Sequence, residues 1–251
     1  MANVVKFTGL IMRESIYGET DKLLDIITHE RGRITVAAKG SRKATSKSRS
    51  ASHVMFYGDF ACYERDGRFW LSEASPICDF YDISLGIERL SLISYIFDVA
   101  RYVTFEGESC ESLLRLLLNV LYVIGQGDRE NDLIKAVFEL RCAAEIGYAP
   151  ELSHCTHCQK ECTDAYYDIA NDECICSECA EKQKTVEGCF YLPLPVREAG
   201  EYIVSAPLKR IFAFSIDDSF KNALFAFAER YIIDKTEHYF KSLQYYKDMT
   251  R

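Results

Sequence analysis

Cys155-Thr156-His157-Cys158 and, further along the chain, Cys176-Ser177-Glu178-Cys179 are two Cys-x-x-Cys motifs with 17 residues between them. Each motif lets two thiolates converge from one tight turn, and two such turns complete a tetrahedral set of sulfur ligands with no open position. The spacing therefore predicts a structural zinc site, with one zinc per chain, held by Cys155, Cys158, Cys176 and Cys179. Because no ligand position is open, we expect the metal to stabilise the fold and to perform no catalysis.

Alternatives to this ligand set stay open. His154, His157, Cys162 and Cys174 lie close enough in sequence to replace one of the four ligands. The chain has 11 cysteines, so the motifs could also be ordinary reduced thiols, or one pair could serve thiol–disulfide exchange. We favour zinc because two Cys-x-x-Cys pairs at this spacing, with polar residues between them, seldom arise by chance.

Length and composition predict a cytoplasmic protein with no membrane partner. At 251 residues and 48% hydrophobic content, the chain is long enough for two domains. Its most apolar stretch, residues 113–124, contains Arg115 and Asn119 and is shorter than the roughly 20 residues that span a bilayer. The first 12 residues include Lys6 and are typical of a strand rather than a signal peptide. The odd number of cysteines favours reduced thiolates over a disulfide framework.

The first 80 residues predict a small barrel. Residues 4–12, 22–28, 33–38, 53–63 and 68–75 are β-branched or aromatic runs separated by turn residues, which predicts five strands. Asp66-Gly67 is typical of a type I′ hairpin turn because both residues tolerate positive φ, and Glu30-Arg31-Gly32 is predicted to close an earlier hairpin. Five short strands with a basic, Ser-rich loop favour an OB-fold, an architecture that binds nucleic acids.

Basic residues are concentrated in this first part. Residues 1–80 carry 12 Lys and Arg against 10 Asp and Glu, whereas the rest of the chain carries 18 against 28. Between residues 31 and 50 there are seven basic residues and no acidic one: Arg31, Arg33, Lys39, Arg42, Lys43, Lys47 and Arg49. A solvated loop has the same pattern, but within an OB-fold it predicts a DNA-binding segment.

Aromatic residues are also frequent in the predicted barrel: Phe56, Tyr57, Phe60, Tyr63, Phe69 and Trp70. In so small a fold most of them are expected to fill the core, and we expect only one or two to stack on bases.

After residue 84 the apolar period changes from two to 3.6, which predicts helices. Residues 93–103 form one apolar helical face. Residues 113–124 are apolar nearly all round, so this second helix is expected to be buried on every side. Asn131 or Asp132 is expected to cap a third helix, which ends at Gly147. Leu192-Pro193-Leu194-Pro195 is interpreted as a connector, and residues 219–248 as one or two helices.

These elements predict an α+β multidomain protein. We expect a five-stranded OB-fold barrel that binds DNA at residues 1–82, followed by a helical bundle with an inserted zinc module that has four cysteine ligands. The helical domain is expected to occupy residues 83–150 and 191–251, and the zinc-binding module residues 151–190.

Motifs for catalysis are missing from the sequence. No Gly-Lys-Ser/Thr tripeptide is present for a phosphate-binding loop, and Gly125-x-Gly127 lacks a third glycine because residue 130 is Glu130. The chain has neither the His-x-Glu of zinc deaminases nor His-Glu-x-x-His nor Gly-x-Ser-x-Gly. The sequence therefore predicts a binding protein and not an enzyme.

Several segments together resemble one protein family. They are RESIYGETD at residues 13–21, THERG at 28–32, AKGSRK at 38–43, FEL at 138–140, and GYAP at 147–150, which leads into the first Cys-x-x-Cys. In this order, and over nearly the whole chain, they resemble the RecO recombination mediator proteins of bacteria. One departure concerns the cysteine turns, where the family commonly has glycine and this chain has Gln159 and Asn171-Asp172. Asn and Asp tolerate left-handed backbone, so the turns stay feasible.

The resemblance implies a role in recombinational DNA repair. It implies binding of single- and double-stranded DNA, annealing of complementary strands and, with RecR, loading of RecA on DNA coated by single-stranded DNA-binding protein. It also implies a nucleoid-associated location, zinc bound by the four cysteines named above, and a DNA-facing loop at residues 39–49. The alternative function is that of an RNA-binding OB-fold protein with a structural zinc module.

The acidic balance of the second part predicts a division of roles. Like-charge repulsion should confine DNA to the barrel and leave the helical part for protein partners. From the resemblance, one such partner is the C-terminal tail of the single-stranded DNA-binding protein, which is acidic and ends in apolar residues. We expect it to bind a hydrophobic groove with a Lys or Arg at the rim.

Overall fold

The computed structural model describes residues 3–46, 48–84, 86–183 and 186–250. It divides into two compact units, Met1–Gln126 with Phe240–Arg251, and Gly127–Tyr239. The predicted boundary at residue 82 falls inside the first unit, and the predicted helical domain contributes residues to both units.

The first unit contains the predicted five-stranded barrel. Its strands are β1 (Asn3–Tyr17), β2 (Asp21–Thr28), β3 (Gly32–Ala38), β4 (Phe56–Arg65) and β5 (Arg68–Asp79). The barrel is closed in the order β1-β2-β3-β5-β4, with β1 antiparallel to β2 and β4, and β3 parallel to β5. This confirms the OB-fold. Residues alternate between inside and outside, so that Ile34 and Val36 are buried while Arg33 and Thr35 lie on the outer face of β3.

The two predicted hairpin turns are present. Asp66 and Gly67 have φ values of 50° and 70°, as a type I′ turn requires. Gly32, at the end of the β2–β3 turn, has φ +67°, and an added Cβ would lie 2.0 Å from the backbone oxygen of Phe105. A glycine is therefore needed here both for the left-handed backbone and for close approach of another chain segment.

The first unit also contains α1 (Ile87–Tyr102), α2 (Glu111–Gln126) and α7 (Lys241–Met249). The expectation that residues 113–124 are buried on every side was wrong, because Arg115 and Tyr122 are exposed on one face of α2. Leu113, Leu117, Val120 and Ile124 form the buried face. A helix with one face toward solvent buries only part of its residues, and this stretch has more apolar residues than that part can hold.

The second unit combines three long helices with the cysteine-rich module. Its elements are α3 (Asn131–Glu145), β6 (Ala165–Asp168), β7 (Glu173–Cys176), α4 (Ser177–Gln183), β8 (Phe190–Leu192), α5 (Leu194–Ser205) and α6 (Asp218–Thr236). β6 is the central strand of an antiparallel sheet with β7 and β8. α3 packs against α5 and α6, which also pack against each other. This helical part with an inserted four-cysteine module agrees with the predicted fold class.

Two local predictions for this unit need correction. Leu192-Pro193-Leu194-Pro195 is not a connector, because β8 ends at Leu192 and α5 begins at Leu194, with Pro193 at the N-cap. Proline is compatible with a first helical turn, whose N–H groups have no intrahelical acceptor. The N-cap of α3 is Glu130, and neither Asn131 nor Asp132 takes that position.

A buried ion cluster lies where α3 crosses α6. The ammonium of Lys135 is 3.0 Å from a carboxylate oxygen of Glu139 and 3.0 Å from one of Glu229. The side chain of Lys135 is 4% exposed and that of Glu139 is fully buried. Burial alone would lower the pKa of Lys135, but the two carboxylates outweigh it and raise the pKa above its usual 10.5. Lys135 therefore stays charged at neutral pH.

Candidate metal centre and nucleic-acid interface

The fold brings the four predicted cysteine ligands together. The Sγ atoms of Cys155, Cys158, Cys176 and Cys179 all lie within 4.8 Å of one another, and those of Cys158 and Cys176 are 3.7 Å apart. Four sulfurs around one zinc at about 2.3 Å are about 3.8 Å from each other. The cluster therefore has the dimensions of a tetrathiolate metal site and could hold a metal ion.

Backbone hydrogen bonds shape the turn of the first motif. The Gln159 N–H donates to the Cys155 carbonyl over 2.9 Å, and Gln159 adopts left-handed backbone with φ 61°. Asp172, in the turn before β7, is also left-handed with φ 56°. Both turns therefore adopt the left-handed backbone that favours glycine with other residues in place, as the sequence predicted for Asn and Asp.

The second motif joins a strand to a helix. Cys176 is the last residue of β7, and Cys179 lies in α4, which begins at Ser177. The Cys176 N–H donates to the Sγ of Cys155 over 3.4 Å. The two motifs are therefore in direct contact through a sulfur atom.

The thiols of the cluster have unequal acidities. Burial raises the pKa of Cys155, but N–H groups of Cys176, Cys158 and His157 outweigh it and lower the pKa to about 6. Hydrogen bonding with the Cys176 thiol raises the pKa of Cys179 to about 12. One sulfur is thus a ready thiolate, while a metal must displace the proton of another.

The alternative ligands lie beside the cluster. The Sγ atoms of Cys162 and Cys174 are 3.9 Å from each other in a buried pair. His157 lies against Glu173, with 3.5 Å between Nε2 and the carboxylate. Among the described residues, only the four cysteines of the two motifs form a group of three or more potential ligands.

Polar contacts attach the module to α5 and α6. The buried Arg197 donates to the backbone oxygens of Thr163 and Leu152, each over 3.1 Å. Asp172 accepts from the Tyr231 hydroxyl over 3.0 Å and lies 2.8 Å from the Lys235 ammonium. Loss of the module's structure would therefore remove partners from both helices.

The seven predicted DNA-binding residues form two groups. Arg31 and Arg33 lie at the start of β3, whereas Lys39, Arg42, Lys43 and Arg49 follow its end, and Lys47 lies outside the described residues. A strand of seven residues is about 20 Å long, so the groups are well separated along the barrel.

A groove of about 540 Å³ runs along the outer face of β3. Its lining includes Tyr17, Leu23, Arg33, Thr35, Ala37, Arg68, Trp70 and Phe105, together with one acidic residue, Glu106. The Arg33 guanidinium also donates to the Thr104 backbone oxygen over 3.2 Å. Tyr17 and Phe105 are 59% and 57% exposed, so ring faces are open to solvent beside two guanidinium groups. The groove thus combines cationic and aromatic side chains, the chemistry that binds single-stranded nucleic acids.

Sequence reasoning missed Tyr17, Arg68 and Phe105. The alternation Arg33-x-Thr35-x-Ala37 could have identified the outer face of β3, and the β5 start beside it would have added Arg68. No local sequence pattern could have identified Phe105, because it lies in the connection between α1 and α2 and contacts the barrel only in the folded chain. Its backbone oxygen accepts a hydrogen bond from the Arg33 N–H over 3.2 Å.

The second group lies in the loop after β3. The ammonium of Lys39 lies 5.9 Å from the ring centroid of Trp70, and Lys43 and Arg49 are exposed. Arg42 donates from its guanidinium to the Glu19 backbone oxygen over 2.8 Å. At least one of the predicted phosphate contacts therefore also has a structural partner.

The aromatic residues of the barrel lie either in its core or on its outer face, according to their alternating positions along the strands. Phe56, Phe60 and Phe69 are buried in the core, whereas Tyr63 is 46% exposed and Trp70 lines the groove. Whether any ring stacks on a base stays a prediction.

Comparison with known proteins adds the following similarities. The model for "Recombination protein O N terminal" matches residues 1–80, and that for "Recombination protein O C terminal" matches residues 85–244. The "DNA repair protein RecO" of Acetivibrio thermocellus is 28% identical over 250 residues, covering 99% of this chain and 98% of that protein. The protein of the same name from Caldicellulosiruptor saccharolyticus is 26% identical over 245 residues, covering 97% of this chain and 98% of that protein. The one from Bacillus subtilis is 26% identical over 179 residues, covering 71% of this chain and 70% of that protein.

Proposed function

The chain belongs to the recombination protein O family, and from this premise we propose that it is a non-enzymatic recombination mediator in DNA repair. It binds single- and double-stranded DNA, anneals complementary strands and, with RecR, helps load RecA on DNA coated by single-stranded DNA-binding protein. It acts in the cytoplasm, at the nucleoid. Among the described residues no helix has the length and apolar character needed to cross a membrane.

The observation that supports DNA binding best is the groove on the outer face of β3. Arg33 and Arg68 provide charge for phosphates, while Tyr17, Trp70 and Phe105 provide rings for bases. Each phosphate contact on a single strand contributes a slope of about 0.7 to the dependence of log K on log salt.

Two sets of substitutions test DNA binding by the barrel, one in the basic loop after β3 and one in the groove. Replacing Lys43 and Arg49 together by Ala should reduce the salt slope by about 1.4, and Arg68→Ala by about 0.7, with equal effects on all sequences. Trp70→Ala should weaken single-strand binding by about 1–3 kcal/mol while leaving the slope unchanged. Arg115→Ala, an exposed charge on α2, is the matched control. An unchanged slope in Arg68→Ala would contradict the groove, and an unchanged slope in the Lys43 and Arg49 variant would exclude the loop as a phosphate contact.

The complete function is tested by strand annealing. The purified chain should accelerate annealing of complementary strands coated with single-stranded DNA-binding protein, and Lys43→Ala with Arg49→Ala should slow that reaction. The alternative function, RNA binding by the same barrel, predicts that RNA of equal sequence displaces DNA from the chain, because a site that reads the 2′-hydroxyl prefers RNA.

We propose that the cysteine cluster holds one structural zinc, because four thiolates favour zinc over hard cations such as magnesium and calcium. Apparent binding energies of such sites are on the order of 10 kcal/mol, comparable with the stability of a domain. Cys158→Ser should therefore lose the metal and unfold the second unit, whereas Cys78→Ser, at an exposed cysteine in β5, should keep both. Elemental analysis and urea unfolding measure the two effects. Absence of zinc from reduced protein, with all four thiols open to alkylation, would contradict the proposal.

For the tail of the single-stranded DNA-binding protein, we propose a cavity of about 410 Å³ in the first unit. Its lining combines apolar residues such as Leu90, Ile93 and Phe97 with Arg13 and Arg101, and it also includes Glu14 and Asp98. Arg101 pairs with Asp25 and Asp98, so we assign the carboxylate of the tail to Arg13. This is the expected chemistry for an acidic peptide that ends in apolar residues. The cavity lies between β1, the segment before β4 and α1, so it includes barrel residues that the predicted division of roles left to DNA.

Full-length variants separate the two partners, because a cut at residue 82 would divide the first compact unit. Leu90→Lys should abolish binding of the tail peptide and preserve DNA binding. Ile87→Lys is the matched control, since Ile87 is exposed on the same helix but does not line the cavity. Equal loss in both variants would argue against the cavity.

A further inference from the structure

The basic loop after β3, residues 39–55, is held in place by the β1–β2 turn. The Gly40 N–H donates to the carboxylate of Asp21 over 2.8 Å, and the same oxygen accepts from the Thr20 hydroxyl over 2.8 Å. The Arg42 N–H donates to the Thr20 carbonyl over 3.0 Å. The first residues of the loop therefore have hydrogen-bond partners in the turn, outside the loop itself.

The far end of the loop is attached to the same region. The ammonium of Lys22, the residue after Asp21, donates to the Ser52 carbonyl over 3.0 Å. Between the two attachments the loop forms successive turns, in which the Lys43 N–H donates to the Gly40 carbonyl and the Ser46 N–H to the Lys43 carbonyl, each over 3.0 Å. The described parts of this stretch, residues 39–46 and 48–55, thus have a defined backbone path.

From these contacts we infer that Asp21 is a positioning residue for DNA binding, because its carboxylate orders the start of the basic loop before DNA arrives. This inference rests on the proposed function of the barrel. An acidic residue beside Lys39 and Lys43 would by charge alone weaken DNA binding. A loop ordered in advance avoids the entropy cost of ordering on association. For Asp21 to favour DNA binding, this gain must exceed the repulsion.

Charge and hydrogen bonding at Asp21 can be separated by substitution. Asp21→Asn removes the charge and keeps an oxygen acceptor for the Gly40 N–H, whereas Asp21→Ala removes both. Asp21→Ala should weaken binding of single-stranded DNA roughly tenfold, the loss expected for one hydrogen bond to a charged group. Asp21→Asn should bind DNA at least as tightly as the unmodified chain. Glu73→Ala, which removes an exposed charge from β5, is the control for charge alone and should leave loop order unchanged.

Salt dependence distinguishes positioning from contact. In Asp21→Ala the bound loop still reaches the same phosphates, so the slope of log K against log salt should equal that of the unmodified chain. Lys43→Ala should instead lower the slope by about 0.7. A merely destabilised barrel would lose binding in proportion to its unfolded fraction, which thermal unfolding of each variant measures.

Trypsin provides a readout that does not involve DNA. The loop contains five cleavage sites, Lys39, Arg42, Lys43, Lys47 and Arg49. Asp21→Ala should speed cleavage in the loop, while Asp21→Asn should keep the original rate. If the unmodified chain bound no DNA, the proposed function would fail, yet the cleavage rates would still test whether Asp21 orders the loop.

The inference is overturned if Asp21→Asn loses affinity and protection to the same extent as Asp21→Ala, or if neither variant changes either property. If Asp21→Ala does not fold, the DNA affinity and the cleavage rate of Asp21→Asn alone test the inference. Faster loop cleavage with weaker DNA binding in Asp21→Asn would then exclude the hydrogen bond as the ordering contact.

Discussion

Replacing Lys135 by Met should destabilise the second unit by several kcal/mol. The side chain is 4% exposed, and its ammonium lies 3.0 Å from both Glu139 and Glu229. Methionine fills a similar volume but leaves the fully buried Glu139 carboxylate without its ammonium neighbour. Removal of one member of a buried ion pair costs about 3–5 kcal/mol, a large part of the roughly 5–15 kcal/mol that stabilises a domain.

The expected loss corresponds to a fall in melting temperature of about 10–20 °C for a unit of this size. Far-UV circular dichroism in urea gives the free energy of unfolding of the helices. The only tryptophan of the chain, Trp70, lies in the barrel, so its fluorescence follows the first unit separately. The loss should appear in the helical signal and leave the Trp70 transition unchanged.

A double variant identifies the cause. Lys135→Met with Glu139→Leu removes the two most buried charges at similar volume and leaves only Glu229, whose side chain is 21% exposed. Replacement of buried ion pairs by apolar residues is often neutral or stabilising. The double variant should therefore recover most of the stability that Lys135→Met loses. If Lys135→Met cost less than about 1 kcal/mol, or if the double variant were no more stable than the single one, charge burial would not explain the cluster.

Two further predictions concern backbone geometry and pH. Gly32→Ala should destabilise the barrel by more than about 2 kcal/mol, because its Cβ would lie 2.0 Å from the Phe105 oxygen and because the backbone is left-handed. Gly18 has a similar φ of +61° but open space around it, so Gly18→Ala is the control that shows the backbone cost alone. Thermal unfolding measures both losses. Asp217 caps α6 by accepting from the Ser219 hydroxyl and N–H, and these bonds lower the pKa of Asp217. Its contribution to stability is complete above the ordinary carboxyl pKa of 3.8 and disappears as pH falls through the lower folded value. Asp217→Ala should therefore destabilise α6 at neutral pH and have a much smaller effect near pH 2, and an equal effect at both would contradict the capping role.

The barrel and the cysteine cluster could be predicted from the sequence because local signals specify them. Strand alternation, the Asp66-Gly67 turn and the spacing of two Cys-x-x-Cys motifs each depend on residues that are close in the chain. The start of α5 was misjudged since two prolines resemble a connector, although proline also suits a first helical turn. The prediction from composition overestimated the burial of α2. A count of apolar residues does not show how much of a helix surface the neighbouring elements bury.

The groove was predicted only in part, since its walls come from distant segments. Tyr17, Trp70 and Phe105 belong to β1, β5 and the α1–α2 connection, and their neighbourhood depends on barrel closure and on the close approach at Gly32. The basic run was visible in the sequence, but its separation into two groups follows from the length of β3. A candidate site whose side chains come from several elements can thus be identified only from the tertiary structure.

The position of α7 constrains how the chain folds during synthesis. This helix packs on α1, with the Ser242 hydroxyl donating to Asp98 over 2.8 Å and the Phe240 ring lying against Tyr95. The first unit is therefore interrupted by residues 127–239 and acquires α7 only after the second unit has been synthesised. At bacterial translation rates this takes on the order of 10 s. During that time the face of α1 that later contacts α7 is uncovered, so the first unit cannot be complete until residues 127–239 have been synthesised.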